Sequence, residues 1–115
     1  MIREIEIDGK RVPFKATAST TARYRDWFGS DLLKDMMQLY NAQTQRKQAQ
    51  DLSSEQLEMF FHLAYTMAKQ ANSNLPADCN DWLDEFSVFP INDIFPQIVE
   101  LWQESLQTLD TSKKK

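Results

Sequence analysis

The sequence predicts an α+β domain, mainly α, in which an N-terminal β-hairpin packs on a bundle of about four to five helices. Three observations predict it. Residues 2–16 place apolar and polar side chains around Asp8-Gly9, a residue pair that tolerates the positive φ of a type I′ turn. Residues 53–71 carry Leu57, Phe60, Phe61, Ala64, Tyr65, Ala68 and Ala71 at the spacing of one helix face. Met59, Leu63 and Met67 widen that face until little of the central turns is left for water, which marks a helix in the middle of a bundle. Finally, Ile94, Phe95, Ile98, Leu101, Trp102 and Leu106 form an apolar stripe along a last helix.

The elements follow in order. A two-residue turn at Asp8-Gly9 sets Ile5 opposite Val12, Arg3 opposite Phe14 and Glu6 opposite Arg11, the last as a cross-strand ion pair. Pro13 has no N–H and so belongs on a sheet edge. A lone hairpin is marginal in water, so Ile5, Val12 and Phe14 should rest on the helices. Ser19-Thr20-Thr21 offers N-caps for a short helix bearing Tyr24, Trp27 and Phe28, which Gly29 ends. Ser30 caps the next helix, with Asp31 in its first turn and Leu32, Leu33, Met36, Met37, Leu39 and Tyr40 as its stripe. The polar run Asn41–Asp51 forms either a solvated helix extension or a loop, so the conformation of 41–52 is left open, and it is the best candidate for a mobile segment.

Ser53 with Gln56 is a capping box, and Leu52 against Leu57 the matching staple. After a break at residues 72–76, Asp78 or Asn80 caps a short helix with Trp82, Leu83 and Phe86. Phe89-Pro90 breaks the chain again. Because Pro96 is tolerable only near a first turn, the last helix should begin at 92–93. The boundaries are a single domain over 1–110 and a flexible basic tail over 111–115.

Composition excludes several classes. A net charge of −4 with scattered basic residues makes nucleic acid and anionic membranes poor partners. No stretch approaches the roughly eighteen apolar residues of a membrane span, and residues 1–10 lack the apolar run of a signal peptide. A single cysteine, Cys79, suits a reducing compartment, and the reading is cytoplasmic by elimination. His62 is the sole histidine, which excludes HExxH and multi-histidine metal sites. Gly9 and Gly29 are too few for a phosphate loop. Cys79 has no histidine near it in sequence, and Asp81, Asp84 and Glu85 read as a solvated face. The expectation is therefore no enzyme, no cofactor and no metal.

What remains is aromatic surface. Trp82, Phe86 and Phe89 lie on a short segment bounded by asparagine and proline, where full burial is hard to arrange. With Trp102 they are the candidate protein-binding residues, since partly exposed aromatics anchor protein interfaces.

Several blocks together resemble the small tail assembly chaperones of long-tailed bacteriophages and related prophages. The first runs Ile7-Asp8-Gly9-Lys10, Val12-Pro13-Phe14-Lys15-Ala16, Thr20-Thr21, Arg23-Tyr24-Arg25, Phe28-Gly29 and Asp31-Leu32. The second is Trp82-Leu83-Asp84 with Phe86, then a helix holding Leu101-Trp102, and Thr111-Ser112-Lys113-Lys114-Lys115 closes the chain. The resemblance spans most of the chain and carries no catalytic signature. It implies a chaperone of viral tail assembly that binds the tape measure protein, keeps it soluble and helps recruit tail tube (major tail) subunits. Such a protein works in the host cell cytoplasm and is absent from the mature virion. Self-association is compatible with coating a long client. The resemblance also leaves two readings of Lys113–Lys115: the trace of a ribosomal frameshift site, or a solubilising tail. The alternative function is a small helical adaptor or regulator with a different protein client.

Overall fold

A computed structural model describes residues 2–111. In chain order these form β1 (Ile2–Ile7), β2 (Lys10–Lys15), α1 (Thr20–Phe28), α2 (Leu32–Thr44), a 3₁₀ turn (Ala49–Asp51), α3 (Ser54–Ala71), α4 (Cys79–Leu83) and α5 (Ile91–Thr111). The α+β, mainly α architecture is as the sequence predicts. The basic run at 113–115 lies outside the described residues.

The hairpin has the register that its turn dictates: Ile5 pairs with Val12, Arg3 with Phe14 and Glu6 with Arg11. Asp8 and Gly9 both take positive φ, as a type I′ turn requires. One face buries Ile5, Ile7, Val12 and Phe14, with β2 against α3 and β1 against α5. The expected ion pair is displaced by one pleat. Arg11 Nε reaches Glu4 Oε1 at 3.1 Å along the outer face, and not Glu6 opposite. Both ends of the hairpin are tied down. Arg3 bonds Glu100 at 2.6 Å and Glu104 at 3.2 Å on α5. At the turn, the Ser87 N–H donates to Asp8 Oδ2 and Lys10 Nζ donates to the Glu85 carbonyl.

The central helix is α3. Ser53 Oγ accepts from the Gln56 N–H and Gln56 Oε1 accepts from the Ser53 N–H, both at 3.0 Å, which completes the capping box. From Leu63 to Ala68 every side chain is buried. Such a helix needs cover all round, and β2, α1, α2 and α4 supply it.

Three local readings are corrected, and one left open between two alternatives is resolved. Ser19 occupies the N-cap of α1 without a side-chain cap bond; instead Thr20 Oγ1 accepts from the Thr17 N–H and donates to Gln70 on α3. Asp31, not Ser30, caps α2 by accepting from the Leu33 N–H, because Ser30 Oγ is committed to Asp35. The polar run is both extension and loop: α2 continues to Thr44 and then closes through Arg46. And α5 begins at Ile91, so Pro96 sits in its second turn, where it withholds a donor from the helix ladder.

Arg46 ends α2 in the left-handed region at φ 58°, with the Lys47 N–H on the Ala42 carbonyl and its own N–H on Gln43. That is the Schellman closure that glycine normally makes. Two stability outcomes follow for chemical denaturation of the purified chain. Ser53→Ala should lower unfolding free energy by about 1 kcal/mol. Arg46→Gly should raise it by about 1 kcal/mol, since an L side chain costs roughly that in left-handed backbone; a loss of stability would contradict the assignment.

Candidate functional site

The four aromatic residues picked out by sequence do not converge. Trp82 is 1% exposed. Asp78 starts α4 by accepting from the Asn80 N–H, and that one turn drives the indole inward. There it meets Phe14 edge-on at 6.4 Å, Tyr65 at 5.8 Å, Phe86 at 5.4 Å and Phe89 at 5.9 Å. Phe86 and Phe89 are half-buried, packed over Trp82 and each other, with Lys10 Nζ 5.3 Å from the Phe86 ring. The expectation that this segment leaves its rings open is corrected for Trp82. Burial is achieved because the hairpin supplies Phe14 and α3 supplies Tyr65, partners that lie far away in sequence. Trp102 is also buried, but on α5 at the floor of a different feature.

That feature is a groove between α2 and α5. The two helices run antiparallel: Gln43 near the end of α2 shares a depression with Asn92 and Phe95 at the start of α5, while Leu33–Tyr40 lie beside Trp102–Leu106. The groove encloses about 320 Å3 and is lined by Leu33, Met36, Met37, Tyr40, Trp102, Gln103 and Leu106. Met36 and Trp102 form its buried base. Leu33, Met37, Tyr40 and Leu106 are 55%, 69%, 45% and 41% exposed. Residues 33, 37 and 40 recur at i, i+4 and i+7, so they make one continuous seam along α2. Gln103 is the polar side chain of the lining, and none of its seven residues is charged. The apolar stripe that the sequence shows on α2 puts Leu33, Met37 and Tyr40 together with Leu32, Met36 and Leu39, and does not separate the exposed seam from the buried face. Its signal is the width of the apolar arc: Leu32 and Leu39 point inward, while Leu33 and Met37 lie on the far side of the same arc.

The residues able to do chemistry are otherwise engaged. Cys79 is buried, its Sγ directed at the Phe61 carbonyl at 3.7 Å. Burial, with Asp78 and Glu58 adding to it, pushes its thiol up to about 12, so the nucleophilic thiolate is scarce at neutral pH. His62 shares a depression with Cys79, Ser54 and Glu58, yet its ring is stacked on Phe28 at 3.9 Å. Asp81, Asp84 and Glu85 are exposed around α4. Asp35 is the buried carboxylate; it accepts from Tyr24 Oη and Ser30 Oγ, both at 2.7 Å, and so fastens α1 to α2. Among the described residues no group of three or more His, Cys, Asp or Glu side chains could hold a metal ion. Among them, too, no helix is long and apolar enough to cross a membrane.

Burial lowers the His62 pKa below its ordinary 6.5, with Glu58 and Asp35 opposing the shift. The unfolded chain then binds a proton there more readily than the folded one. The His62 contribution is fully present above pH 6.5 and is lost as pH falls below it. Unfolding free energy should therefore drop as pH falls below 6.5 in the native chain, and drop less in His62→Gln. Equal losses in the two would show that His62 is not the group responsible.

Compared with known protein families, curated proteins and solved structures, the chain matches none.

Proposed function

We propose that the protein is a phage tail assembly chaperone: a non-enzymatic binding protein that keeps the tape measure protein soluble and helps recruit tail tube subunits. The observation that carries this reading is the exposed apolar seam of Leu33, Met37, Tyr40 and Leu106 over Trp102. The largest contiguous apolar patch on a protein surface is often a functional one, and a protein that shields another polypeptide needs one. The net charge of −4 suits the second half of the task, since a charged complex stays in solution when its greasy faces are joined. The likeness of residues 7–32 and 82–102 to tail assembly chaperones supplies the identity of the clients. The protonated Cys79 thiol and the stacked His62 ring support binding over bond-making chemistry. The protein acts in the host cytoplasm and leaves before the virion is complete.

Co-expression tests the proposal. The tape measure protein encoded beside this gene should be insoluble alone and recovered in the soluble fraction, bound, when the two are made together. A tape measure protein that precipitates unchanged beside an equal amount of this chain would refute it.

A further inference from the structure

We infer that the α2/α5 groove is the client site, and that its occupant is a single amphipathic helix whose apolar residues recur at i, i+4 and i+7 between uncharged flanks. This rests on the function proposed above and specifies the segment of client that is recognised.

Area argues for one helix over a second copy of the chain. The four exposed side chains at 55%, 69%, 45% and 41% leave on the order of 400 Å2 of mainly apolar surface. A stable dimer buries roughly 800 Å2 on each partner, about twice that. One helix laid along a two-helix groove matches the smaller figure. Leu33 to Tyr40 spans two turns, so the seam meets about 10 Å of an incoming helix, enough for three anchors at its own spacing.

Backbone chemistry argues for a helix over an extended strand. Strand addition needs an open row of N–H and C=O groups. The groove walls are side chains of two α-helices whose backbone groups bond internally, so they give a strand nothing to pair with.

Charge defines the flanks. Beyond the seam on the side away from α5 stand Lys34, Gln38 and Asn41, and on α5 the rim carries Gln103. A helix with several charges beside its apolar row would lose hydration against a lining that carries no charge. Glutamine, serine or alanine flanks lose little. Binding through such a groove is driven by apolar contact and is nearly indifferent to salt.

The test uses the full chain and overlapping synthetic peptides of about 30 residues that tile the tape measure protein, with affinity read by calorimetry. Peptides with the stated spacing should bind. Met37→Lys should weaken them by at least about tenfold, whereas Val88→Lys, at an exposed apolar residue outside the groove, should not. Tyr40→Glu serves as the second groove variant, and circular dichroism confirms that each variant is folded. Affinity should change by less than about threefold between about 50 and 500 mM salt. Equal binding by the native chain, Met37→Lys and Tyr40→Glu would overturn the groove assignment while leaving the chaperone function standing. A native dimer that Met37→Lys dissolves in sedimentation, with peptide affinity unchanged, would overturn it in favour of a second copy. Peptides that bind neither form, together with a tape measure protein that the native chain fails to keep soluble, would refute both the function and its site.

Discussion

Burial of six consecutive side chains, Leu63–Ala68, in the middle of α3 is the constraint on which the rest of the structure depends. A helix that is dry on all sides must have neighbours on all sides. The hairpin covers one flank through Val12 and Phe14, and α1, α2 and α4 take the others. Tyr65 illustrates the consequence. Its ring meets Trp27, Phe28 and Trp82, and its hydroxyl donates to the Pro76 carbonyl, so one side chain joins α1, α3, α4 and the loop before α4. Even the polar Thr66 is accommodated by donating to the His62 carbonyl one turn back.

That demand decides which apolar residues are left over. The segment around α4 lies against α3 and the hairpin, so Trp82 is consumed as core and Phe86 and Phe89 are half-covered. α2 and α5 touch the central helix and β1 with one face each, and their apolar arcs are wider than those contacts require. The surplus falls between them as the groove. The surface available for binding is thus the part of two amphipathic helices that the core does not use.

Much of this was legible in local sequence, where cause and effect lie close together. Asp8-Gly9 dictates a register, Ser53 and Gln56 dictate a helix start, and Gly29 dictates a helix end, because each acts on backbone within a few residues. The candidate site was less legible, because exposure is a property of distant neighbours. Nothing near Trp82 announces that Phe14, sixty-eight positions earlier, will close over it. Trp102 is buried beneath the groove, and its neighbours Leu33, Met37, Tyr40 and Leu106 are indistinguishable from an ordinary apolar stripe unless the position of α5 is known. Asp35 escaped notice for a similar reason: its two donors, Tyr24 and Ser30, belong to α1 and the turn after it.

Under the proposed function the client would lie on the seam of α2 and α5, while the aromatic cluster near α4 is packed against the core. Hydrogen–deuterium exchange of the full chain, alone and in complex with the tape measure protein, tests that division most directly. The account predicts that the complex slows exchange across residues 32–44 and 98–107 and leaves residues 79–90 as they were. Protection confined to residues 79–90, with α2 and α5 unchanged, would contradict it.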